Sequence, residues 1–203
     1  TYPDPDDPEP TTKSMPRSNA EAAEWYADKG FRVFPLHTIR DDRCTCGDSD
    51  CGSPGKHPYS KLAPQGVKNA TADITKVRDF WRSFPSANIG LQTGREVGIV
   101  VLDIDDDHGG FESLDEIESE YEPLPDTLTT RTGGGGRHYF FKYPDREVRN
   151  RAGKIGDGID VRSEGGYVVV PPSGHASGSQ YEFEEMATLA EIPTWLLELM
   201  VED

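Results

Sequence analysis

The run from Val97 to Asp105, VGIVVLDID, constrains this chain more than any other stretch. Its near-continuous apolar block predicts a buried strand. The block ends abruptly in Asp103, Asp105, Asp106 and Asp107, four carboxylates in five positions. Like charges that close repel and raise each other's pKa. A bound cation offsets that repulsion, and so, more blandly, does solvent around an acidic strand end. Asp103 and Asp105 are two apart, which points their side chains to one side of a sheet. Such a pair suits a hard divalent cation such as Mg²⁺, which takes oxygen ligands and bridges to substrate phosphates. An EF-hand calcium loop needs Gly sixth and Glu twelfth. Counted from Asp103, those positions hold His108 and Leu114, so that reading fails.

The chain has 203 residues, enough for one ordinary domain or one domain with two lobes. Its net charge is −16, from 21 Lys+Arg against 37 Asp+Glu. One reading is a protein that avoids polyanions. The other is a halophilic surface, because at about 1 M salt the Debye length is about 3 Å and a negative coat no longer repels nucleic acid at a distance. Composition leaves both open, but any nucleic-acid contact must be local rather than a broad basic face. No apolar stretch approaches the roughly 18–20 residues that span a membrane. The first residues, TYPDPDDPEP, carry no signal peptide, so a cytoplasmic location is expected. The missing initiator Met points to a piece of a longer chain.

Residues 1–17 read as a flexible acidic tail, and 18–203 as one domain. Ser18 and Glu21 form a capping box before a helix that Gly30 stops. FRVFPL (31–36) is a strand, and 38–66 a long polar loop. Residues 73–85 read as a helix with Ile74, Val77, Phe80, Trp81 and Phe84 on one face. Strands are expected at 88–94 and 97–105, and a helix at 111–121. The segments 127–132 and 137–144, around Gly133–Gly136, resemble one hairpin. The segment 158–173, with Gly165-Gly166 at its turn, reads as a second. QYEFEE is a last strand and IPTWLLELM a last helix. Mixed elements with hairpins in the second half predict an α+β fold.

Three further groups carry chemistry. In TRTGGGGRHYFF the glycines allow backbone amides to approach an anion beside Arg137 and His138. Arg137 and His138 alternate faces, so one of them points where the carboxylates do; the bland reading is a packed histidine. No Gly-Lys-Ser/Thr follows, and a strand rather than a helix comes next, so this is neither a phosphate-binding P-loop nor a dinucleotide fingerprint. Asp160 and Arg162 share one face of a strand, as an ordinary ion pair or as a metal ligand beside a phosphate clamp. PPSGH closes that segment with Ser173 and His175. Finally, Cys44, Cys46, Cys51 and His57 give C-x-C-x4-C-x5-H, three thiolates and an imidazole suited to a closed structural Zn²⁺ site. Three clustered cysteines without a secretion signal argue against a disulfide framework. Lys56 adjoins that site.

In this order, AAEWYADKGFRVFPL, PGKHP, NIGLQTG, GIVVLDID, GGGGRHYFF, GIDVRSEGGYVVVPPSG and IPTWLLELM resemble the bifunctional DNA primase/polymerase (Prim-Pol) family of the archaeo-eukaryotic primase superfamily, over roughly 20–200. The resemblance implies a primase-polymerase fold, an α/β lobe plus an RRM-like lobe with the active site between them. It implies DNA-dependent nucleotidyl transfer, making and extending primers on single-stranded DNA from nucleoside triphosphates, in replication of a plasmid, virus or other mobile element. Asp103 and Asp105 look like the family's DhD metal ligands, Asp160 like its third acidic residue, and His138 like the His of its S-x-H motif. Asp103, Asp105 and Asp160 would hold two Mg²⁺ or Mn²⁺ ions, and His138 would contact the incoming nucleotide's phosphates. Arg137, His138, Arg162 and Ser173 are the expected nucleotide-binding set. The serine place of S-x-H is Gly136 here, so a hydroxyl contact to the triphosphate is missing or replaced. A helicase domain or protein is an expected partner. The rivals are a DxD glycosyltransferase, which leaves GGGGRH and GIDVR unexplained, and a catalytically degenerate, zinc-stabilised nucleic-acid-binding module.

Overall fold

A computed structural model describes residues 16–202. All but the last two residues of the expected acidic tail lie outside them. The fold is α+β. Its elements are α1 (Asn19–Asp28), β1 (Val33–Leu36), β2 (Ile39–Arg40), β3 (Arg43–Cys44), α2 (Ile74–Ser83), β4 (Asn88–Gln92), β5 (Ile99–Ile104), α3 (Gly110–Glu120), β6 (Thr129–Arg131), β7 (Arg137–Lys142), β8 (Arg151–Gly156), β9 (Ile159–Arg162), β10 (Tyr167–Val170), β11 (Glu182–Glu185) and α4 (Thr194–Val201). None of these helices is long and apolar enough to cross a membrane.

Local chemistry sets the helix ends. Ser18 caps α1 by accepting from the Glu21 amide, and Gly30 follows at a φ of 84°. The capping box closes one residue early, since the Glu21 carboxylate accepts from the Arg17 amide. Asp73 caps α2, which buries Val77 and Trp81. The strands form a three-stranded sheet, β1-β4-β10, a six-stranded sheet, β11-β6-β7-β5-β9-β8, and the small β2-β3 ribbon within the cysteine loop. β6 and β7 make the expected hairpin.

One local reading is corrected, and it involves the path between the two sheets. β4 and β5, consecutive in sequence, belong to different sheets, joined only by a bridge from Gly94 to Ile99. The segment 158–173 is not a hairpin: β9 pairs with β5, and β10 pairs with β4 in the other sheet. Both crossovers run side by side, tied by Thr93 donating through Oγ1 to the Ser163 carbonyl at 2.7 Å. Gly166 leaves room there for the Asn150 side chain, whose Oδ1 would lie 2.6 Å from a Cβ. β8, whose sequence is mostly polar and Gly-containing, has no strand-like period and is missed by pattern.

β5 lies between β7 and β9 and is apolar on both faces. Ile99 and Val101 enter a core with α1, α2 and the three-stranded sheet; Val100, Leu102 and Ile104 enter a second core with Phe141, Leu196 and Met200. Asp103 therefore continues the Ile99–Val101 face, the side of the six-stranded sheet that looks toward the three-stranded one.

One polar side chain joins segments far apart in sequence. Asn88, fully buried at the start of β4, donates to the Gly55 and Gly174 carbonyls (2.9 and 2.7 Å), and its Oδ1 accepts from Thr38 Oγ1 and the Gly174 amide, each at 3.0 Å. Asn88→Ala strands these partners without solvent. It should lower unfolding stability by about 2–4 kcal/mol, read from the urea midpoint at unchanged slope.

Candidate functional site

A cleft of about 700 Å³ opens on this face of the six-stranded sheet. Asp103 lies at its floor. Antiparallel register sets Asp103 opposite His138 of β7 on one side and Asp160 of β9 on the other. Three strands thus place three of the four expected catalytic residues in one row, on one face. His138 Nε2 lies 3.3 Å from Asp103 Oδ1. Arg162 spans the row, with Nε 3.3 Å from Asp103 Oδ2 and NH2 2.8 Å from Asp160 Oδ2. The Gly153 amide donates to Asp160 Oδ1 at 3.0 Å. Burial pushes the Asp103 pKa up, but His138 and Arg162 outweigh it and hold the carboxyl at about 2. Asp103 is therefore ionised at physiological pH.

Asp105 stands at the cleft mouth. Its side chain accepts from the Asp107 amide, 3.2 Å away, and lies 2.9 Å from His108 Nδ1. It therefore caps the short 3₁₀ turn Asp106–His108 that leads into α3. Part of the carboxylate crowding has this local cause: an oxygen at the strand end satisfies free amides of the turn. Gly110 permits the tight return, because a Cβ there would lie 2.6 Å from the Gly158 carbonyl.

Two expected nucleotide-binding residues do not reach the cleft. Arg137 lies on the opposite face of β7 from His138, since neighbours in a strand alternate. Its guanidinium is bidentate to Glu184, at 2.7 and 2.6 Å, and lies over the Phe111 ring of α3. Ser173 is fully buried, and its hydroxyl accepts from the Ile89 amide at 2.9 Å. It serves the backbone of β4. His138 and Arg162 do line the cleft. Gly136 cannot be a serine without rearrangement, because a Cβ would sit 2.1 Å from the Ile104 carbonyl oxygen.

Other lining residues escaped pattern reading. Tyr181, just before β11, is buried between the His138 and His175 rings, each centred 6.0 Å away. Burial, then Asp103 and Asp105, push its phenol well above the usual range. A lone tyrosine in QYEFEE offers no motif by which to find it.

The opposite wall is the cysteine loop. One donor atom each from Cys44, Cys46, Cys51 and His57 lies within 4.8 Å of the others, the only such group of three or more among the described residues. His57 Nε2 is 3.4 Å from the Cys44 sulfur and 3.5 Å from that of Cys51. Tetrahedral zinc with ordinary bond lengths sets its sulfur and nitrogen ligands about 3.6 Å apart, so this donor set fits Zn²⁺. His37 lies against His57, with ring centroids 4.4 Å apart and planes tilted by 31°. β2 and β3 present Cys44, and the Gly55 amide points at its sulfur, 3.5 Å away. The purified protein should carry about one zinc per chain, and Cys51→Ser should bring this near zero, measured by plasma mass spectrometry.

A comparison with curated proteins finds none that matches. A comparison with family models does: the model of the bifunctional DNA primase/polymerase N-terminal domain matches residues 23–195. The match runs from α1 to α4 and takes in the cysteine loop, the carboxylate row and His138. By that match the chain belongs to the Prim-Pol family.

Proposed function

We propose that this chain is a DNA-dependent nucleotidyltransferase, a primase and DNA polymerase that makes and extends primers on single-stranded DNA. The observation that carries the reading is the in-register row His138–Asp103–Asp160, whose His138 and Asp103 line a cleft of about 700 Å³. Family membership supplies the substrate class, DNA and nucleoside triphosphates. Replication of a plasmid, virus or other mobile element, alongside a helicase, is the setting it suggests.

The donors are hard oxygens, and Asp103 is ionised, which suits Mg²⁺ or Mn²⁺. Asp103, Asp105 and Asp160 are the residues that would hold two such ions. When bound, these cations lower the pKa of the attacking 3′-hydroxyl and neutralise charge on the leaving pyrophosphate. The chain's own groups position the rest. His138 is braced against Asp103, with its Nδ1 buried and without a protein partner. Arg162 neutralises the carboxylate row and supplies a guanidinium fork for phosphate oxygens. The zinc loop braces the wall opposite the carboxylates. Catalysis is then mostly positioning and charge stabilisation.

The test is labelled-nucleotide incorporation on single-stranded DNA, with and without primer, in molar KCl with Mg²⁺ or Mn²⁺. Asp103→Ala/Asp105→Ala should reduce incorporation more than about 100-fold. Unprimed product makes the enzyme a primase, and primed product alone makes it a polymerase. No incorporation by folded, zinc-loaded wild type contradicts the reading and favours the binding module.

A further inference from the structure

We infer that Lys56 and His175 form a phosphate subsite on the wall of the cleft facing the carboxylates, one that grips the triphosphate of the incoming nucleotide. The inference rests on the nucleotidyltransferase reading and deepens it. Nothing in the motif pattern assigns either residue a role.

Lys56 and His175 both line the cleft, although 119 positions separate them in sequence. One side chain holds them together. Asn88 hydrogen-bonds to the backbones of Gly55 and Gly174, the residues immediately before Lys56 and His175. The Lys56 carbonyl is fixed again by the Tyr167 hydroxyl, at 2.9 Å. The two side chains thus project from backbone anchored to a single buried amide. Geometry of this kind is characteristic of preorganised binding groups.

Two Lys/Arg side chains line the cleft, and one of them, Arg162, is held by Asp103 and Asp160. Lys56 is exposed to the cleft and forms no ion pair among the described residues. An ammonium left unpaired in a cleft with carboxylates at its floor is suited to an anion that arrives with its own cations.

His175 supplies a directed donor. The Ser177 amide donates to His175 Nδ1 at 3.1 Å, so Nδ1 holds a lone pair and the ring proton of neutral imidazole sits on Nε2. Burial, then Lys56, lower the ring's pKa against a smaller opposing pull from Asp107, which favours that neutral form. Nε2–H is therefore the available donor.

The glycine run explains how the ring fits. A Cβ at Gly133 would lie 2.1 Å from His175 Cβ, and one at Gly134 would lie 3.7 Å from His175 Nε2. Gly133 is thus space for His175, and Gly134 lies in ordinary contact range of the ring. The serine hydroxyl missing at position 136 is replaced from outside its own strand, by an imidazole N–H and an ammonium.

The test is nucleotide affinity of the whole chain, zinc-loaded, by titration calorimetry with a deoxynucleoside triphosphate and Ca²⁺, beside affinity for single-stranded DNA alone. Lys56→Ala and His175→Ala should each weaken triphosphate binding about tenfold or more. Lys56→Arg and His175→Gln, which keep a charge and an N–H, should recover most of it. DNA affinity should stay within about twofold for all four variants. Wild-type binding that both alanine variants retain overturns the subsite and leaves the nucleotidyltransferase reading standing. Weakened DNA binding with unchanged triphosphate binding assigns the subsite to template phosphates and likewise overturns it. A wild type that binds no triphosphate overturns the underlying reading and the subsite with it.

Discussion

Strand β5 is hydrogen-bonded on both edges and packed on both faces, and the candidate site follows from that confinement. With β7 on one side and β9 on the other, its register cannot slip without carrying Asp103 to the opposite face. The apolar residues from Ile99 to Leu102 hold that register through burial, at roughly 1.5–3 kcal/mol for each large side chain. The row His138–Asp103–Asp160 is therefore a consequence of hydrophobic packing one turn of the pleat away. Arg162 offsets the repulsion of the two carboxylates it spans.

The second constraint is polar. The two sheets are linked by paired crossovers, and the cleft between them needs a wall that does not collapse. Asn88 supplies much of that rigidity by tying the cysteine loop, Thr38 and the segment before His175 to the start of β4. The Cys44–His57 group sits within the same loop. Metal-site donors and a buried amide thus fix the wall opposite the carboxylates, and Lys56 and His175 stand on it.

Much of this was readable in the sequence, and the reasons differ by element. The helices announced themselves through caps: Ser18 and Asp73 both accept hydrogen bonds from their first turns. Asp103, His138 and Asp160 could be placed on strands from the apolar residues around them, and strand register then brings the three side by side. The C-x-C-x4-C-x5-H spacing was sufficient because metal ligation leaves few alternatives for three thiolates and an imidazole. Pairing partners were not legible. Gly165-Gly166 looks like a hairpin turn, yet it leads the chain from one sheet into the other. Arg137 was expected at the nucleotide because it neighbours His138, but alternation sends it to Glu184 and Phe111. Ser173 was expected there too, but it serves a backbone amide of β4. Asn88 and Tyr181 carry no motif at all; their roles exist only once distant segments meet.

The central claim is that the carboxylate row holds catalytic cations. Crystals grown with Mn²⁺ and a non-hydrolysable deoxynucleoside triphosphate analogue, measured for anomalous scattering at the manganese edge, test it most directly. The account predicts manganese signal at Asp103, Asp105 and Asp160, with the analogue's phosphates in the cleft. An ordered analogue with no manganese at those carboxylates, or manganese only elsewhere on the acidic surface, would contradict it.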